Sequence, residues 1–196
     1  MHSSQRIAFV GAHGTGKTTL ARAVAEKLQE AGIAAPVVPE VPRWICSKAN
    51  DPVFFRREKN SPLRQVLLLL GQPVFETALL QSRSAWLLCD RSLLDHWAYT
   101  RLLFRDELLR EGVTELLDEF VSSYTRTYDY MFYVPIEFAP LDDGTREGDD
   151  RFQEQVDSEI RQLLGAYRLA TQTVSGTVEA RVATVISQLL PSVLLR

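Results

Sequence analysis

Cysteine and histidine are scarce in this chain, whose 196 residues include two cysteines and three histidines. Cys46 and Cys89 form no Cys-x-x-Cys pair and no cluster with histidine, so the sequence indicates no structural zinc site. Cys89 stands in an apolar run, where a cysteine is usually buried and reduced. We therefore expect Cys89 to be a buried thiol and expect no zinc to stabilise the fold.

Long hydrophobic runs are also missing. The longest aliphatic run, Val66–Leu70, is far too short to span a bilayer and is followed by Gly71 and Pro73. The N-terminal residues 1–6 lack the apolar stretch of a signal peptide. A net charge of −3 and a pI near 5.7 do not suggest a nucleic-acid-binding surface. We therefore expect a cytoplasmic monomer or homodimer that binds neither membrane nor nucleic acid.

What the sequence does contain is a complete phosphate-binding pattern of the Walker A type. Residues 11–18 read Gly-Ala-His-Gly-Thr-Gly-Lys-Thr, after the apolar run 7–10 and before a helical pattern that begins near Lys17. Glycines let backbone N–H groups wrap a polyphosphate, and the helix adds its positive N-terminal end. Lys17 can reach the β- and γ-phosphates, and the Thr18 hydroxyl can hold Mg²⁺.

The expected ligands of this loop are Mg²⁺ and a nucleoside triphosphate, ATP in the first place and GTP as an alternative. The residues expected to bind the nucleotide are Gly11, His13, Gly14, Thr15, Gly16, Lys17, Thr18 and Thr19. Two other interpretations stay open at this point. One is that the pattern is a chance glycine-rich turn, and the other is that His13, at a variable position, only faces solvent.

Apolar runs alternate with helical patterns along the rest of the chain. They predict strands near residues 7–10, 37–38, 86–89, 130–134 and 172–175. They predict helices near residues 18–31, 63–83, 93–110, 113–126, 152–167 and 178–189. Pro42 is expected to break the pattern, and residues 47–62 to be irregular.

This alternation after a phosphate loop predicts a three-layer α/β fold of the P-loop NTPase type, like that of nucleoside and nucleotide kinases. About five parallel strands with helices on both faces are expected, because continuous apolar strands are typical of parallel sheets. The length fits a single domain over residues 1–196. Ligands of such folds bind at the carboxyl ends of the strands, so residues that follow strands are the candidates for function.

Asp90 and Arg91 follow the apolar run 86–89 directly. An Asp at this strand end is the expected carboxylate of a Mg²⁺ site that also includes Thr18. Arg91 is expected to lie near the transferred phosphoryl group, because its guanidinium stays charged and can bind two phosphate oxygens. The alternative is that Asp90 caps the next helix and Arg91 lies on the surface.

Glu40, Arg43 and Trp44 follow the second predicted strand. A carboxylate beside the γ-phosphate can accept the proton of an attacking hydroxyl, which makes Glu40 a candidate catalytic base. Arg43 is a candidate for holding oxygens of an acceptor, and Trp44 for stacking on a base. The alternative is a surface pair of Glu40 and Arg43, with Trp44 packed in the core.

A segment over about 137–152 is rich in Asp and Gly and carries Arg146 and Arg151. This composition is typical of a mobile lid, whose arginines would close over the polyphosphate and exclude water. The segment also has an excess of acidic residues, so a solvated loop with no role in catalysis is the alternative.

Two stretches resemble known nucleoside and nucleotide kinases. Residues 40–44, Glu-Val-Pro-Arg-Trp, resemble the Glu-Pro-Val-x-x-Trp stretch of deoxynucleoside kinases, in which the Glu is the catalytic base and the Trp lines the acceptor pocket. Residues 90–92, Asp-Arg-Ser, are similar to the Glu-Arg-Ser of those enzymes and to the Asp-Arg signature of thymidylate kinases.

The chain as a whole resembles the NadR-like AAA domain family, which includes ribosylnicotinamide kinase domains. The similar segments are the loop 11–18, Glu40 with Arg43, Gly71-Gln72 with Glu76, and residues 90–92, 143–146, 152–157 and 175–181. In that family the Gly-x-x-Glu-x-Arg element lies near the adenine, so the resemblance implies that Arg181 contacts the nucleotide.

The absence of two GTPase motifs restricts the class of protein further. The chain has no Asn-Lys-x-Asp guanine-reading motif and no Asp-x-x-Gly switch after the second strand, so a Ras-like GTPase is not expected. The prediction is a kinase that transfers the γ-phosphate of ATP to a nucleoside-like acceptor, with Lys17, Glu40, Asp90, Arg91, Arg146 and Arg151 as the catalytic residues. A nucleotide-binding regulator that hydrolyses slowly, or an ATPase that acts on a partner protein, remains the alternative.

Overall fold

Five parallel strands form the centre of the molecule. The computed structural model describes residues 5–50, 60–80, 86–137 and 150–194. The strands are β1 (Gln5–Val10), β2 (Val37–Val38), β3 (Trp86–Asp90), β4 (Tyr130–Tyr133) and β5 (Gln172–Thr173), and they lie in the order β2-β3-β1-β4-β5. All four pairings are parallel. The central position of β1 places the phosphate loop in the middle of the carboxyl edge of the sheet.

Helices cover both faces of this sheet. They are α1 (Lys17–Glu30), α2 (Val41–Ala49), α3 (Pro62–Leu80), α4 (Leu93–Glu111), α5 (Thr114–Thr125), α6 (Asp150–Ala166) and α7 (Val178–Leu194). Successive side chains of β1 point to opposite faces of the sheet. Ile7 and Phe9 pack with α1 and α7 on one face, and Ala8 and Val10 pack with residues of α3 to α6 on the other. The predicted fold class is therefore confirmed, with the expected five strands.

Helix α2 is not among the helices predicted from the sequence. Pro42 was expected to break the pattern, yet it lies in the first turn of α2, where a proline removes no intrahelical hydrogen bond. The helix ends at Ala49, and its C-cap residue Asn50 has a left-handed φ of 51°. The expectation of an irregular stretch from residue 47 is therefore wrong up to Ala49, while residues 51–59 lie outside the described residues.

Helix α3 combines an apolar composition with a polar buried face. Among the described residues it is the helix that could cross a membrane by length and composition alone. Its buried face nevertheless carries Gln65, Gln72 and Glu76. The Glu76 carboxylate accepts hydrogen bonds from Gln72 Nε2 at 2.8 Å, Tyr128 Oη at 2.7 Å and Tyr124 Oη at 2.8 Å. These contacts connect α3 to α5 and to the turn that follows α5.

His96 of α4 belongs to the same buried polar layer. Its side chain is 2% exposed, and Nε2 lies 3.3 Å from Gln72 Oε1. Burial, together with the positive charge of Arg91, lowers the pKa of His96 from 6.5 to about 3. The imidazole is therefore neutral in the folded protein near pH 5, whereas in the unfolded chain it is protonated at that pH.

This difference predicts a pH dependence of stability. Between pH 6.5 and about 3 the unfolded chain binds one more proton at His96 than the folded protein, so His96 makes the free energy of unfolding fall as pH falls. Glutamine keeps polar atoms near Gln72 but does not titrate. We expect His96→Gln to reduce the slope of the unfolding free energy against pH by up to about 1.4 kcal/mol per pH unit. Urea unfolding of both proteins between pH 7 and pH 5 measures this, and parallel curves would contradict it.

Candidate functional site

The phosphate loop lies against the end of β4 and depends on three glycines. Gly14 and Gly16 have φ values of 74° and 88°, in the left-handed region that glycine adopts at no steric cost. A Cβ atom added at Gly11 would collide with the carbonyl oxygen of Val134. The loop therefore follows a path that these positions allow because they have no side chain.

Positive groups converge inside this loop. Gly16 is the N-cap of α1 and has no side chain to accept from the first N–H groups of the helix. Lys17 is 4% exposed, and its ammonium donates to the Ala12 carbonyl and, at 3.3 Å, to Thr15 Oγ1. Thr18 and Thr19 follow in the first turn of α1. A helix N-terminus with a lysine beside it is suited to a phosphate group.

His13 connects the loop to two neighbouring helices. Its side chain is 4% exposed, and Nδ1 lies 2.8 Å from Tyr99 Oη on α4. The His13 carbonyl accepts a hydrogen bond of 2.6 Å from Gln153 Nε2 on α6. The alternative in which His13 faces solvent is therefore wrong. Its predicted role in nucleotide binding stays a prediction.

Arg181 at the start of α7 reaches the other side of the loop. Its side chain is 3% exposed and donates from Nη1 to the Thr15 carbonyl at 2.7 Å and from Nε to the Gly176 carbonyl at 2.9 Å. Nη2 pairs with Glu137, which also accepts from the Gly176 N–H at 2.9 Å. The hydrogen bonds from Gly176 and Arg181 lower the pKa of Glu137. Arg181 therefore stabilises the backbone of the loop, while the implied adenine contact stays a prediction.

Asp90 lies beside the first turn of α1. It is 4% exposed, and the side chain of Thr18 lies close enough to its carboxylate to act on the pKa of Asp90. Burial, and the negative charge of Glu40, raise the pKa of Asp90. The alternative in which Asp90 caps the next helix is wrong, because Ser92 is the N-cap of α4.

The neighbouring oxygens of Asp90 and Thr18 fit a magnesium ion. Mg²⁺ prefers hard oxygen ligands and usually takes one or two carboxylates, with phosphate oxygens and water completing its shell. Among the described residues there is no group of three or more His, Cys, Asp or Glu side chains that could form a self-sufficient metal site. A carboxylate and a hydroxyl next to a phosphate loop suit an ion that arrives with a nucleotide.

Glu40 forms the centre of a buried charge cluster. Its Oε1 accepts from Arg91 Nε at 2.9 Å, and its Oε2 accepts from Arg43 Nε at 2.7 Å. Glu40 is 7% and Arg91 5% exposed, so the alternative of a surface position is wrong for both. Although burial disfavours the charge of Arg91, the Glu40 carboxylate holds its pKa above the ordinary value. Arg91 therefore stays charged at neutral pH.

Trp44 lies on α2 one turn after Glu40, the N-cap residue of that helix. Its ring is 40% exposed and meets the edge of Phe75 with centroids 4.7 Å apart. The Lys48 ammonium lies 5.8 Å from the centre of the indole ring. Trp44 is therefore not packed in the core, and a large aromatic surface stays accessible near the Glu40 cluster. Base stacking stays a prediction.

The predicted lid over 137–152 falls largely outside the described residues, and so does Arg146. Arg151 is exposed in the first turn of α6. The next residue, Phe152, places its ring centroid 6.1 Å from that of His13. The first turn of α6 therefore lies near the phosphate loop, and the role of Arg151 in catalysis stays a prediction.

Sequence reasoning missed several residues that hold the loop, namely Asp95, Tyr99, Glu137 and Gln153. One signal was available, because Ser92-Leu-Leu-Asp95 is a Ser-x-x-Asp pattern of a helix N-terminus. It correctly indicates that Asp95 binds the Ser92 N–H, at 2.8 Å. It gives no indication of the other contact of Asp95, which crosses from α4 to Gly11.

Comparison with known proteins agrees with this architecture. A model of the AAA domain family matches residues 6–181. No curated protein sequence matches the chain at a significant level. The family match confirms the resemblance expected from the sequence.

Solved structures share the fold at low sequence identity. A NadR protein, solved in complex with NAD and AMP-PNP, superposes with a TM-score of 0.75 at 17% identity over 96% of this chain and 49% of that chain. The chain thus spans about half the length of that protein. A deoxyadenosine kinase from M. mycoides with bound dATP has a TM-score of 0.61 at 15% identity over 94% and 99% of the two chains. A thymidylate kinase from Ehrlichia chaffeensis has a TM-score of 0.61 at 18% identity over 95% and 99%.

The Arg181 contacts predict a role in shaping the phosphate loop. Lysine keeps the positive charge but cannot donate to Thr15, Gly176 and Glu137 together. Hydrogen bonds from charged groups contribute about 1.5–3 kcal/mol each, so we expect Arg181→Lys to weaken ATP binding about tenfold or more and to lower Tm.

A fluorescent ATP analogue and thermal unfolding measure these two effects. Arg161→Lys is the matched control, because the exposed side chain of Arg161 on α6 pairs with Asp157 at 3.0 Å. It should leave nucleotide affinity unchanged. Equal affinities of the two variants would contradict the role assigned to Arg181.

Proposed function

The chain belongs to the AAA domain family, and we propose that it is an ATP- and Mg²⁺-dependent kinase that phosphorylates a hydroxyl of a nucleoside-like acceptor. A cytoplasmic location, a single domain over residues 1–196 and a monomeric or homodimeric state complete the proposal. The fold shared with a deoxyadenosine kinase and a thymidylate kinase supports it at the level of architecture.

One observation carries the proposal: Glu40 and Arg91 form a buried ion pair of 2.9 Å directly beside Asp90. Asp90 in turn lies near the side chain of Thr18, at the end of the phosphate loop. This arrangement supports a role for the carboxylate and the guanidinium beside the γ-phosphate of a loop-bound nucleotide. Binding a nucleotide alone needs neither group, whereas phosphoryl transfer uses both.

The proposed reaction is a direct transfer. The acceptor hydroxyl oxygen attacks the γ-phosphorus, its proton passes to the Glu40 carboxylate, and the bond between the γ-phosphorus and the bridging oxygen breaks to release ADP. Lys17 and the loop N–H groups hold the β- and γ-phosphates, and Arg91 stabilises the charge on the transferred group. Because such a transfer needs little covalent chemistry from the protein, positioning of the reactants and electrostatic stabilisation supply most of the rate acceleration.

Arg43 and Trp44 are the proposed acceptor contacts. The Arg43 side chain is 51% exposed although it pairs with Glu40, and the Trp44 ring is 40% exposed. Both lie within one turn of the proposed base. An acceptor with an aromatic base and a polar sugar would stack on the indole and bind the guanidinium.

The proposal predicts that turnover requires an acceptor and an ionisable Glu40. We expect ADP release by the native protein to depend on one compound in a screen of nucleosides, ribosylnicotinamide and simple alcohols. Glutamine cannot take a proton, so Glu40→Gln should lower kcat roughly 100-fold or more, the usual contribution of a general base.

Glu30→Gln is the matched control, because Glu30 forms an exposed pair of 2.7 Å with Lys27 at the same spacing as Glu40 with Arg43. It should retain full activity. Steady ATP hydrolysis that no acceptor accelerates would favour the slow ATPase or regulator instead. Full transfer by Glu40→Gln would rule out this residue as the base.

Asp90 and Thr18 would hold Mg²⁺ in this mechanism, and the ion would neutralise phosphate charge. Since the ionised carboxylate is the metal ligand and burial raises the pKa of Asp90, apparent Mg²⁺ affinity should decline on acidification at a higher pH than for an ordinary Asp. We expect Asp90→Asn to need about tenfold more Mg²⁺ for half-maximal ADP release and to lose this pH dependence. Titrations with MgCl₂ between pH 8 and pH 5 test both points. Unchanged Mg²⁺ dependence would remove Asp90 from the proposed site.

A further inference from the structure

The carboxylate of Asp95 joins the phosphate loop to the turn that carries Arg91. Oδ1 accepts from the Gly11 N–H at 2.9 Å, and Oδ2 accepts from the N–H and the hydroxyl of Ser92, each at 2.8 Å. Asp95 itself is 0% exposed. We propose that Asp95 is a positioning residue that sets the place of Arg91 relative to the bound triphosphate. This inference rests on the phosphoryl transfer proposed above.

The backbone at Arg91 needs such support. Its φ is 103°, a conformation that costs a residue other than glycine of order 1–3 kcal/mol. The peptide that follows is held at both ends, because Gln72 Nε2 donates to the Arg91 carbonyl at 3.3 Å and Asp95 accepts from the Ser92 N–H. The strained turn therefore persists because α3 and α4 fix it from opposite sides.

Gln72 is itself fixed by its neighbours. The same Nε2 donates to Glu76 at 2.8 Å, and Oε1 lies 3.3 Å from His96 Nε2. Gln72 and Glu76 are both 0% exposed. Since no solvent-exposed group takes part, these contacts define one orientation of the amide and hence one position of the Arg91 carbonyl.

Asp95 does more than cap its own helix. A capping box uses one carboxylate oxygen of the N3 residue, and Asp95 Oδ2 supplies it to Ser92. The second oxygen, Oδ1, accepts from the N–H of Gly11, which lies 84 positions earlier in the sequence. Gly11 is the first residue of the phosphate loop after β1. One rigid carboxylate thus fixes the first peptide of the phosphate loop and the turn after Arg91 at a set separation. Phosphoryl transfer depends steeply on such positioning.

Asp95→Asn tests this coupling with almost no change of shape. Whichever way the amide turns, its NH₂ group faces a donor, either the Gly11 N–H or the Ser92 N–H. We expect kcat for ADP release to fall on the order of 10- to 100-fold, and the Kd of the ATP analogue AMP-PNP to rise. Gln72→Met acts on the Arg91 side alone, so it should lower kcat without changing this Kd.

Asp118→Asn is the matched control for stability. Asp118 on α5 accepts from Trp97 Nε1 at 2.9 Å and from Tyr167 Oη at 2.6 Å, away from the phosphate loop. It should lower Tm while kcat, KM and the Kd of AMP-PNP stay native. If Asp95→Asn keeps its kcat as fully as Asp118→Asn does, the positioning role is overturned.

An NMR measurement separates this inference from the proposed function. The Gly11 amide proton should resonate downfield and exchange slowly in the native protein, and should move upfield and exchange faster in Asp95→Asn. Absence of turnover in the native protein would refute the kinase proposal but would leave this amide and the AMP-PNP affinity as tests of Asp95. An unchanged Gly11 amide or an unchanged AMP-PNP affinity in Asp95→Asn would overturn the coupling. If Asp95→Asn does not fold, a native kcat in Gln72→Met overturns it.

Discussion

The parallel pairing of β1 with β3 is the constraint on which the rest of the site depends. In its register Phe9 lies opposite Asp90, so the two strands end at the same level of the sheet. The phosphate loop after β1 and the Asp90–Ser92 turn after β3 are therefore neighbours, although about eighty positions separate them. The proximity of Thr18 to Asp90 and the hydrogen bond between Gly11 and Asp95 both build on this juxtaposition. A shift of one residue in the register would reverse which side chains face α1.

The central charges at this edge, Glu40 and Arg91, are buried and paired with each other. Burial of an isolated ion costs several kcal/mol, so Glu40 and Arg91 are tolerable at 7% and 5% exposure because they neutralise each other. On another side of the loop the buried Arg181 pairs with Glu137, which is exposed. The strained φ of Arg91 is an additional cost that the surrounding hydrogen bonds offset. Charged groups fixed in this way by their neighbours suit the proposed phosphoryl transfer, which relies on electrostatic stabilisation.

The sequence predicts local features of this structure well and long-range contacts poorly. The positions of the strands and of most helices followed from periodicity, and the loop 11–18 followed from glycine spacing. The sequence pattern does not predict helix α2, because proline usually interrupts a helix. Pro42 lies in the first turn, however, where proline favours a helix. The contacts of Asp95 and Arg181 with the loop cross between elements, and their residue types are common on any helix. Only the packing of α4 and α7 against the loop reveals them.

The phosphate side of the site is more buried than the proposed acceptor side. On the phosphate side, Lys17, Asp90 and Arg91 are each 4–5% exposed and held by neighbours from several elements. On the acceptor side, Arg43 and Trp44 are about half exposed and belong to the single short helix α2. Substitutions on α2 can therefore alter the proposed acceptor contacts without disturbing the groups proposed to transfer the phosphate. The buried phosphate side allows few residue types, so its motifs can be recognised in the sequence and indicate phosphoryl transfer. The exposed proposed acceptor side allows many residue types, so the sequence does not identify the acceptor.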